Sequence, residues 1–440
     1  MIPDNVKKYL KKYSLPGWKI EHAGLDKINN VVVIPAIEEF ENIKILLSSI
    51  SENEKTYFPY TMVIFVINNS PEASTAIKED NKKTLDYLKS LIERTGKKLA
   101  PPDKKIISSG LRISFVDASS PGKELPIKDA GVGLARKIGM DLALTIFNYN
   151  SSAKKILICL DADCTVEKNY LTEIIENFNK KNLNAAVVNF AHTLPDEKEK
   201  EAAIISYEIF LRYYVLGLQY ACSPYAFHAI GSTMTCDAES YIKVEGMNKR
   251  KAAEDFYFLE KLAKIKMIEK ITSTTVHPAG RASWRVPFGT GQRVTRFLSK
   301  KYDEYLLHNP QSFYILKKWL DFFMNEKIRD TEQYLEKAKS INKNLFEFLQ
   351  LQKFNDSWTN IIKNCSNEEQ LRRQKKNWFD GFRTMKLIHF LRDNGFPMVN
   401  MFDALDEFFP LFKLSSPLRS QKIPELKVQK EYLEILRSIT

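Results

Sequence analysis

Residues 156–163 read ILICLDAD, an apolar run that ends directly in two aspartates, Asp161 and Asp163. Three other β-rich runs come earlier in the chain, each followed by polar or helix-forming sequence: Val31–Ile34, Met62–Ile67 and Arg112–Val116. Continuous apolar runs of this kind are typical of strands that are covered on both faces, and their alternation with helical segments predicts parallel βαβ units. The sequence therefore predicts an α/β fold with a doubly wound sheet, in which ligands bind beyond the carboxyl ends of the strands.

The last third of the chain has a different pattern. From about residue 293 onward, leucine, phenylalanine, lysine and glutamate recur with helical periodicity, as in Phe313–Asn325, Thr331–Gln352 and Glu368–Asp393. Aromatic residues at helical spacing, such as Trp319, are typical of a helical core. We therefore predict an N-terminal helical segment over residues 1–27, an α/β domain over residues 28–295 and a mainly helical C-terminal region over residues 296–440.

The composition is that of a folded protein with anionic partners. Of the 440 residues, 44% are hydrophobic and 27% are charged, which is typical of a globular chain rather than a disordered or fibrous one. The net charge of +12 suits nucleotide diphosphates or anionic lipid headgroups. The sequence has no aromatic-rich RNA-binding signature, no zinc-finger spacing and no strongly basic helix, so we expect no nucleic-acid partner.

Cysteine content and apolar patterning indicate a cytoplasmic protein. The five cysteines are an odd number scattered along the chain, which is typical of reduced thiols rather than of a disulfide framework. The N-terminus lacks the apolar core of a signal peptide. The nearest candidate for a membrane span, Ala202–Ala221, is interrupted by Glu208 and Arg212, which indicates a buried or interfacial helix. A peripheral contact with a membrane stays open.

Asp161 and Asp163 emerge where a doubly wound sheet presents its ligand. Residues two apart on a strand project to the same side, so the two carboxylates can hold a divalent cation between the protein and a diphosphate. Taken alone, such a pair is more often an acidic turn that caps the next helix. Other parts of the sequence are therefore needed to choose between a metal-binding pair and a helix cap.

A second acidic pair, Glu254 and Asp255, stands at the apparent start of a helix. Carboxylates in a first helical turn are favoured by the helix dipole and often act only as caps. The functional alternative is that Asp255 is a general base, which takes the proton of an attacking hydroxyl group.

His277 follows another β-branched run, and a lone histidine is more often structural than a ligand. Beside a carboxylate and diphosphate oxygens, however, its imidazole would suit Mn²⁺ and tolerate Mg²⁺. Arg281 belongs to a glycine-punctuated basic stretch, Gly280–Gly291, which is either a loop that closes over a diphosphate or a solvated linker.

The order of these segments resembles the family 2 glycosyltransferases, whose GT-A fold is a Rossmann-like, doubly wound mixed sheet, across roughly residues 28–295. Residues 31–39, VVVIPAIEE, are similar to the family's opening strand with its proline and acidic residue, which contact the nucleotide base. The resemblance therefore implies that Pro35, Glu38 and Glu39 bind the donor.

The acidic pairs match further motifs of this family. Asp161 and Asp163 resemble the metal and ribose motif, and His277 stands where many GT-A enzymes keep a late metal-binding histidine. The resemblance implies Mn²⁺ or Mg²⁺ held by Asp163, His277 and Asp161.

The remaining motifs concern the acceptor side and the chemistry. Gly231 lies in a segment that resembles the glycine loop near donor and acceptor. Glu254 and Asp255 fall where the family keeps its catalytic acidic pair, so the resemblance implies that both are catalytic.

Three segments depart from the family pattern, one of which is residues 292–297, QRVTRF, which only approximate the glutamine-x-x-arginine-tryptophan motif of processive members. After the second strand the family shows an acidic pair, whereas Asn69 offers an amide to a base edge but no charge. Residues 128–139 resemble a lysine-to-arginine-asparagine segment in which Lys137 replaces the asparagine, and Lys128 and Arg136 remain expected donor contacts. The complete set of expected donor contacts is Pro35, Glu38, Glu39, Asn69, Asp117, Lys128, Arg136, Asp161, Gly231 and Arg281.

The resemblance implies metal-dependent transfer of a sugar from a UDP- or GDP-sugar to an acceptor hydroxyl with inversion. A nucleotidyltransferase acting on a sugar phosphate shares a nucleotide-binding sheet and paired acidic ligands, but the residues after the first run lack its glycine-rich phosphate loop. A non-catalytic nucleotide-sugar-binding protein is the third reading. The sugar, the acceptor (a glycan, a lipid-linked or a small molecule) and a homo-oligomeric state stay open.

Overall fold

The computed structural model describes residues 1–21, 26–93, 101–281 and 289–440. The chain forms two compact units. The first contains Met1–Thr193 and Ala229–Gly280, and the second contains Leu194–His228, Arg281 and Thr290–Thr440. Each unit has its own hydrophobic core.

Across the described residues, the first unit is built on an eight-stranded sheet. Its strands are β1 (Asn30–Ala36), β2 (Thr61–Asn68), β3 (Arg112–Ala118), β4 (Ile156–Cys159), β5 (Cys164–Val166), β6 (Ala185–Phe190), β7 (Met234–Asp237) and β8 (Glu269–Pro278). They lie in the order β3-β2-β1-β4-β7-β6-β8-β5. The first four in this order are parallel, β6 runs parallel to β8, and β7 and β5 run antiparallel to their neighbours. The predicted α/β class with a doubly wound, mixed sheet is thereby confirmed.

Each of the four predicted strands is present, with its apolar run at the buried centre. All seven residues of β1 and all eight residues of β2 are buried. In the parallel register, Ile67 of β2 lies opposite Ala36 of β1 and Asp117 of β3. Because parallel strands end at the same edge of a sheet, the loops after these strands lie at one edge, where ligands bind in doubly wound folds.

Helices of the first unit pack against this sheet. The helices up to residue 265 are α1 (Asp4–Tyr13), α2 (Phe40–Ser51), α3 (Thr75–Glu93), α4 (Pro101–Ser109), α5 (Val132–Ile146), α6 (Tyr170–Lys180), α7 (Lys198–Tyr220), α8 (Ala238–Lys243) and α9 (Glu254–Ile265), of which α7 belongs to the second unit. Helix α5 lies very close to the strands: a Cβ atom at Gly139 would come within 2.5 Å of Val33 Cγ1 and 2.9 Å of Val66 Cγ2. Glycine at this position therefore lets α5 approach β1 and β2.

The second unit is mainly helical, as predicted for the C-terminal region. Besides α7 it contains α10 (Thr290–Ser299), α11 (Pro310–Asn325), α12 (Thr331–Ile341), α13 (Lys343–Leu351), α14 (Phe354–Lys363), α15 (Glu368–Trp378), α16 (Gly381–Asp393), α17 (Met401–Phe408) and α18 (Leu426–Ile439). Two short antiparallel strands, β9 (Leu306–Leu307) and β10 (Val399–Asn400), complete it. No helix in the described part of the chain has the length and apolarity required to cross a lipid bilayer.

An aromatic cluster forms much of the core of the second unit. Trp319, Phe323, Phe354 and Trp358 are fully buried. The ring centroids of Trp319 and Phe323 are 4.9 Å apart, and those of Phe323 and Trp358 are 5.0 Å apart. The prediction that aromatic residues at helical spacing form a core is confirmed here.

Two of the predicted helical stretches are divided by N-cap residues. Asn342 separates α12 from α13, and its Oδ1 accepts from the backbone N–H of Asn344 at 2.8 Å and of Leu345 at 3.3 Å. Asp380 precedes α16 and accepts from the backbone N–H of Arg383 at 3.0 Å. Side-chain oxygens that satisfy the first N–H groups of a helix thus set both boundaries.

Candidate active site

The first acidic motif occupies the turn between β4 and β5. The backbone N–H of Leu160 donates to Val33 O at 3.2 Å, which holds the start of the turn against β1. At its other end, the N–H of Cys164 donates to Asp161 O at 3.2 Å, and β5 begins there. The side chain of Asp161 is 34% exposed. Asp161 therefore lies just beyond the carboxyl end of β4.

The second acidic motif forms the first turn of α9. Ala253 precedes the helix with φ 58°, in the left-handed region, and offers no side-chain cap. Asn248 donates from Nδ2 to Glu254 O at 2.8 Å, which fixes the approach of the loop to the helix. Glu254 is buried and Asp255 is partly buried. Both carboxylates thus lie at the positive end of the helix dipole.

Arg136 of α5 joins the two acidic motifs. Its side chain is 2% exposed and forms one ion pair with Asp161 and another with Glu254. Gly231 begins a short 3-10 turn and lies so close to the guanidinium that a Cβ atom at this position would overlap it. The structure therefore brings together Arg136, Asp161, Gly231 and Glu254, which the sequence places in four separate segments.

The charges in this cluster act on one another. Burial alone would lower the pKa of Arg136, but the negative charges of Asp161 and Glu254 raise it overall, so the guanidinium stays protonated. Burial raises the pKa of Glu254, and Arg136 opposes that rise. Burial, together with the charge of Glu254, raises the pKa of Asp255 to about 7. A carboxyl group with this pKa exchanges its proton near neutral pH, as a general base requires.

A second buried polar cluster on α5 was not predicted from the sequence. Lys137 Nζ lies 2.9 Å from Asp141 Oδ2, one helical turn along. The hydroxyl groups of Tyr9 in α1 and Tyr241 in α8 both donate to Asp141 Oδ1, at 2.8 and 2.7 Å. Lys137, which replaces the asparagine of the family pattern, therefore forms a buried ion pair with Asp141. The hydrogen bond of Tyr9 to the same Asp141 connects α1 to α5. The four-residue spacing of Lys137 and Asp141 is a readable signal, whereas nothing local to Tyr9 indicates its contact.

The predicted base-contacting residues lie at the ends of β1 and β2. Pro35 is buried in β1, and Glu39 is buried in the loop that follows. Glu38 has φ 54°, and its backbone N–H donates to Asn81 Oδ1 at 3.0 Å. Asn81 in turn donates from Nδ2 to Asn69 Oδ1 at 2.8 Å. Asn81 thus connects the loop after β1 to the loop after β2. The side-chain oxygen of Asn69 accepts the hydrogen bond in this connection.

The other predicted donor contacts are Asp117, Lys128 and Arg281. Asp117 is the second-last residue of β3, and its Oδ2 pairs with Lys123 Nζ at 3.0 Å. Burial would raise the pKa of Asp117, but backbone N–H groups and Lys123 lower it overall. Lys128 is exposed in the loop before α5. Arg281 belongs to the second unit, and the basic stretch after it, residues 282–288, lies outside the described residues.

His277 lies on β8, opposite Thr165 of β5. Its Nε2 is 2.8 Å from Glu167 Oε1, and its Nδ1 is 3.1 Å from Ala191 O. Glu167 follows Thr165 by two residues, and Asp163 precedes it by two. The imidazole is therefore hydrogen-bonded to Glu167 and not to Asp163 on the other side of Thr165. The sequence did not indicate this partner.

The three predicted metal ligands do not form a coordination sphere in this arrangement. Asp161 is paired with Arg136, and His277 is paired with Glu167. Among the residues that the structure describes, no three histidine, cysteine, aspartate or glutamate side chains are grouped closely enough to hold a metal ion. We therefore attribute no chemical step to a metal, and ligation through Asp163 stays a prediction.

Comparison with known proteins gives distant structural similarity only. No protein-family model matches the chain, and no curated protein matches it. One similar solved structure is S. aureus TarS 1-349 in complex with UDP-GlcNAc, at 12% identity over 93% of this chain and 90% of that chain, with a TM-score of 0.36. Another is the mannosyltransferase PcManGT from Pyrobaculum calidifontis in complex with GDP-Man and Mn²⁺, at 13% identity over 99% of this chain and 91% of that chain, with a TM-score of 0.35. Because both TM-scores are low, we infer nothing about this chain from either structure.

Proposed function

We propose that this chain is a glycosyltransferase that moves a sugar from a UDP- or GDP-sugar donor to an acceptor hydroxyl, with inversion at the anomeric carbon. The observation that carries the proposal is the bridge of Arg136, which joins Asp161 at the end of β4 to Glu254, the neighbour of Asp255. A doubly wound sheet binds its ligand at this edge. The bridge supports a single site in which a nucleotide-sugar meets a general base.

In the proposed reaction, Asp255 is the general base. The acceptor oxygen forms a bond to the anomeric carbon from the side opposite the diphosphate, and its proton moves to the Asp255 carboxylate. The bond between the anomeric carbon and the diphosphate oxygen breaks, and the nucleoside diphosphate leaves with the electron pair. One displacement of this kind inverts the anomeric configuration and needs one base, for which a pKa of about 7 is suitable.

The proposed donor side combines residues of four loops at the same edge of the sheet. We propose that Pro35, Glu38 and Asn69 lie beside the nucleotide base, where β1 and β2 end. Asp161 is proposed to contact the ribose, and the exposed Lys128 is proposed to contact the diphosphate. Positive charge on this side neutralises the leaving group as its charge develops.

A specific donor is expected to stabilise the protein against heat. A ligand that binds only the folded state, present at one hundred times its Kd, raises the free energy of unfolding by about 2.7 kcal/mol. The measurement is the unfolding midpoint with UDP-, GDP- and dTDP-sugars, each with Mn²⁺ and with a chelator. One donor class is expected to raise the midpoint and the others to leave it unchanged; no shift with any donor would contradict the proposal. An equal shift in the chelator would show that donor binding does not require a metal.

The pH dependence of kcat/KM is expected to report Asp255. Since the carboxyl group has a raised pKa of about 7, its active, ionised form is present above that value and is lost as the pH falls through it. We expect an acidic limb in the pH profile, in which kcat/KM falls about tenfold for each pH unit below this pKa. The check is a pH profile at low donor concentration. A limb near the ordinary pKa of aspartate, about 3.9, would be inconsistent with Asp255 as the base.

The released product separates sugar transfer from nucleotidyl transfer. Glycosyl transfer releases a nucleoside diphosphate, whereas nucleotidyl transfer releases pyrophosphate. Chromatography of the nucleotide products, with an enzymatic assay for pyrophosphate, distinguishes the two reactions. Release of pyrophosphate from a nucleoside triphosphate and a sugar phosphate would replace the proposed function by the nucleotidyltransferase reading.

A further inference from the structure

The sequence predicts that Arg136 contacts the donor, but its surroundings indicate another role. We propose that Arg136 is a positioning residue, which holds the first turn of α9 beside the turn between β4 and β5 and so places Asp255 at the donor site. This inference rests on the proposed function of the chain as a glycosyltransferase.

The contacts of Arg136 favour positioning over donor binding. Nη2 pairs with Asp161, and Nη1 pairs with Glu254. One side chain therefore connects two segments that are distant in the sequence. With 2% of the side chain exposed, little of the guanidinium surface is left to contact a diphosphate.

Two glycines make room for these contacts: Gly231 for the side chain of Arg136, and Gly133 for the segment that leads into α9. A Cβ atom at Gly231 would overlap the guanidinium of Arg136. A Cβ atom at Gly133, in the first turn of α5, would lie 3.0 Å from both Asn248 O and Glu254 Cβ. Any side chain at position 231 is thus expected to displace Arg136 from its two carboxylates.

Arginine suits this bridge for a chemical reason. Its planar guanidinium offers N–H groups on two sides and can bind two carboxylates at once, whereas a lysine ammonium is a point charge on a flexible stem. Removing the cation from a buried ion pair leaves uncompensated charge. In Arg136→Gln, Asp161 and Glu254 would repel each other, and the first turn of α9 is expected to move with Glu254.

The same substitution also changes the charge around Asp255. Among the described residues, the charged groups with the largest effect on its carboxyl are Glu254 from α9, Arg136 from α5 and Asp161 from the turn after β4. Glu254 and Asp161 raise the pKa of Asp255, and Arg136 lowers it. Loss of Arg136 is therefore expected to shift the acidic limb of the pH profile upward, whereas a smaller fraction of folded protein would lower activity equally at every pH.

The experiment compares Arg136→Gln and Arg136→Lys with the wild-type enzyme. We expect Arg136→Gln to lower kcat by roughly 100-fold, the effect of misplacing a reacting group by about 1 Å, with the donor KM nearly unchanged and the acidic limb raised. Arg136→Lys keeps the positive charge but not the planar guanidinium that binds two carboxylates. It is therefore expected to recover part of kcat and to return the acidic limb of the pH profile toward its wild-type position. A large rise in donor KM with unchanged kcat would overturn the inference and make Arg136 a donor contact.

Lys154→Gln is the matched control. Lys154 Nζ lies 3.2 Å from Asp237 Oδ2 in the same unit, and Asp237 pairs in register with Ile156, at the opposite end of β4 from Asp161. Breaking this pair is expected to leave kcat and the acidic limb unchanged. Gly231→Ala is a second test variant, because it displaces the guanidinium while it keeps every charge. Its kcat is expected to fall as in Arg136→Gln, and it takes the place of that variant if Arg136→Gln does not fold.

A crystal structure of Arg136→Gln, or of Gly231→Ala if Arg136→Gln does not fold, separates this inference from the proposed function. A displaced first turn of α9 would support the positioning role whether or not the enzyme transfers sugar, and an unmoved first turn would overturn it. If the wild-type enzyme released no nucleoside diphosphate from any donor, the proposed function would fail, while the crystal structure would still decide the role of Arg136.

Discussion

Replacing Asp255 with asparagine is expected to lower the turnover of sugar transfer by roughly 10²–10⁴-fold, which is the usual contribution of a general base. The amide is nearly the same size as the carboxylate, but it cannot take the proton of the acceptor hydroxyl. Donor binding is expected to survive, because the proposed donor contacts lie at the end of β1 and on the loops after β1, β2, β3 and β4, and Asp255 is not among them. Nucleoside diphosphate release measures the turnover, and the thermal shift produced by the donor measures binding.

Glu260→Gln is the matched control on the same helix. Glu260 is buried, and its Oε2 lies 3.8 Å from Lys264 Nζ, one turn further along α9. This substitution also removes one carboxylate from α9 but leaves the first turn intact, so turnover is expected to stay near that of the wild type. Near-normal turnover of Asp255→Asn in a folded protein would show that Asp255 is not the base, and Glu254 would be the next carboxylate to test.

The central strands of the sheet were predictable because their signals are local. The strands β1 and β2 are seven and eight residues long and buried throughout, each contains a continuous apolar run, and each is followed by a polar loop. The antiparallel strands β5 and β7 contain only three and four residues, which is too short for a periodic pattern. Their places in the sheet depend on pairing with distant segments, which no local pattern indicates.

The residues that contact Arg136 stand out in the sequence, but their contacts with one another do not. Asp161 and Glu254 stand out because each belongs to an acidic pair at the end of a strand or the start of a helix. The contact of both with Arg136 depends on how α5 packs on the sheet, so the sequence alone indicates a donor contact where the structure has a bridge. His277 is a similar case, because the register of β8 on β5 decides that its partner is Glu167.

Helix α7 shows the same limit in the second unit. Glu208 and Arg212 interrupt an apolar stretch, and the sequence predicts a buried or interfacial helix. The burial is confirmed, since both side chains are fully buried and Arg212 Nε lies 2.8 Å from Glu208 Oε1. Buried charges require partners, but the sequence does not say which ones. One further partner of Glu208 is Arg437 of α18, whose Nε and Nη2 lie 2.8 and 2.9 Å from its two oxygens.

Glu208→Gln is expected to destabilise the second unit by about 3–5 kcal/mol, the usual effect of removing one partner from a buried ion pair. The neutral amide cannot balance the charges of Arg212 and Arg437, and its NH₂ group would face one of the two guanidinium groups. Burial already lowers the pKa of Arg212, and Glu208 opposes that effect. The glutamate therefore stabilises the charged form of Arg212 inside the helical core.

The measurement is urea unfolding followed by the fluorescence of the second unit's buried tryptophans, Trp319, Trp358 and Trp378. Glu201→Gln is the control, because Glu201 of α7 pairs with Lys430 of α18, so the same two helices are joined by a second pair in which the lysine side chain is 43% exposed. A pair that reaches solvent contributes roughly 0–1 kcal/mol, so the control is expected to shift the unfolding transition only slightly. Equal small shifts for both variants would mean that the charges around Glu208 are solvated, and that hydrophobic packing alone joins α7 to α18.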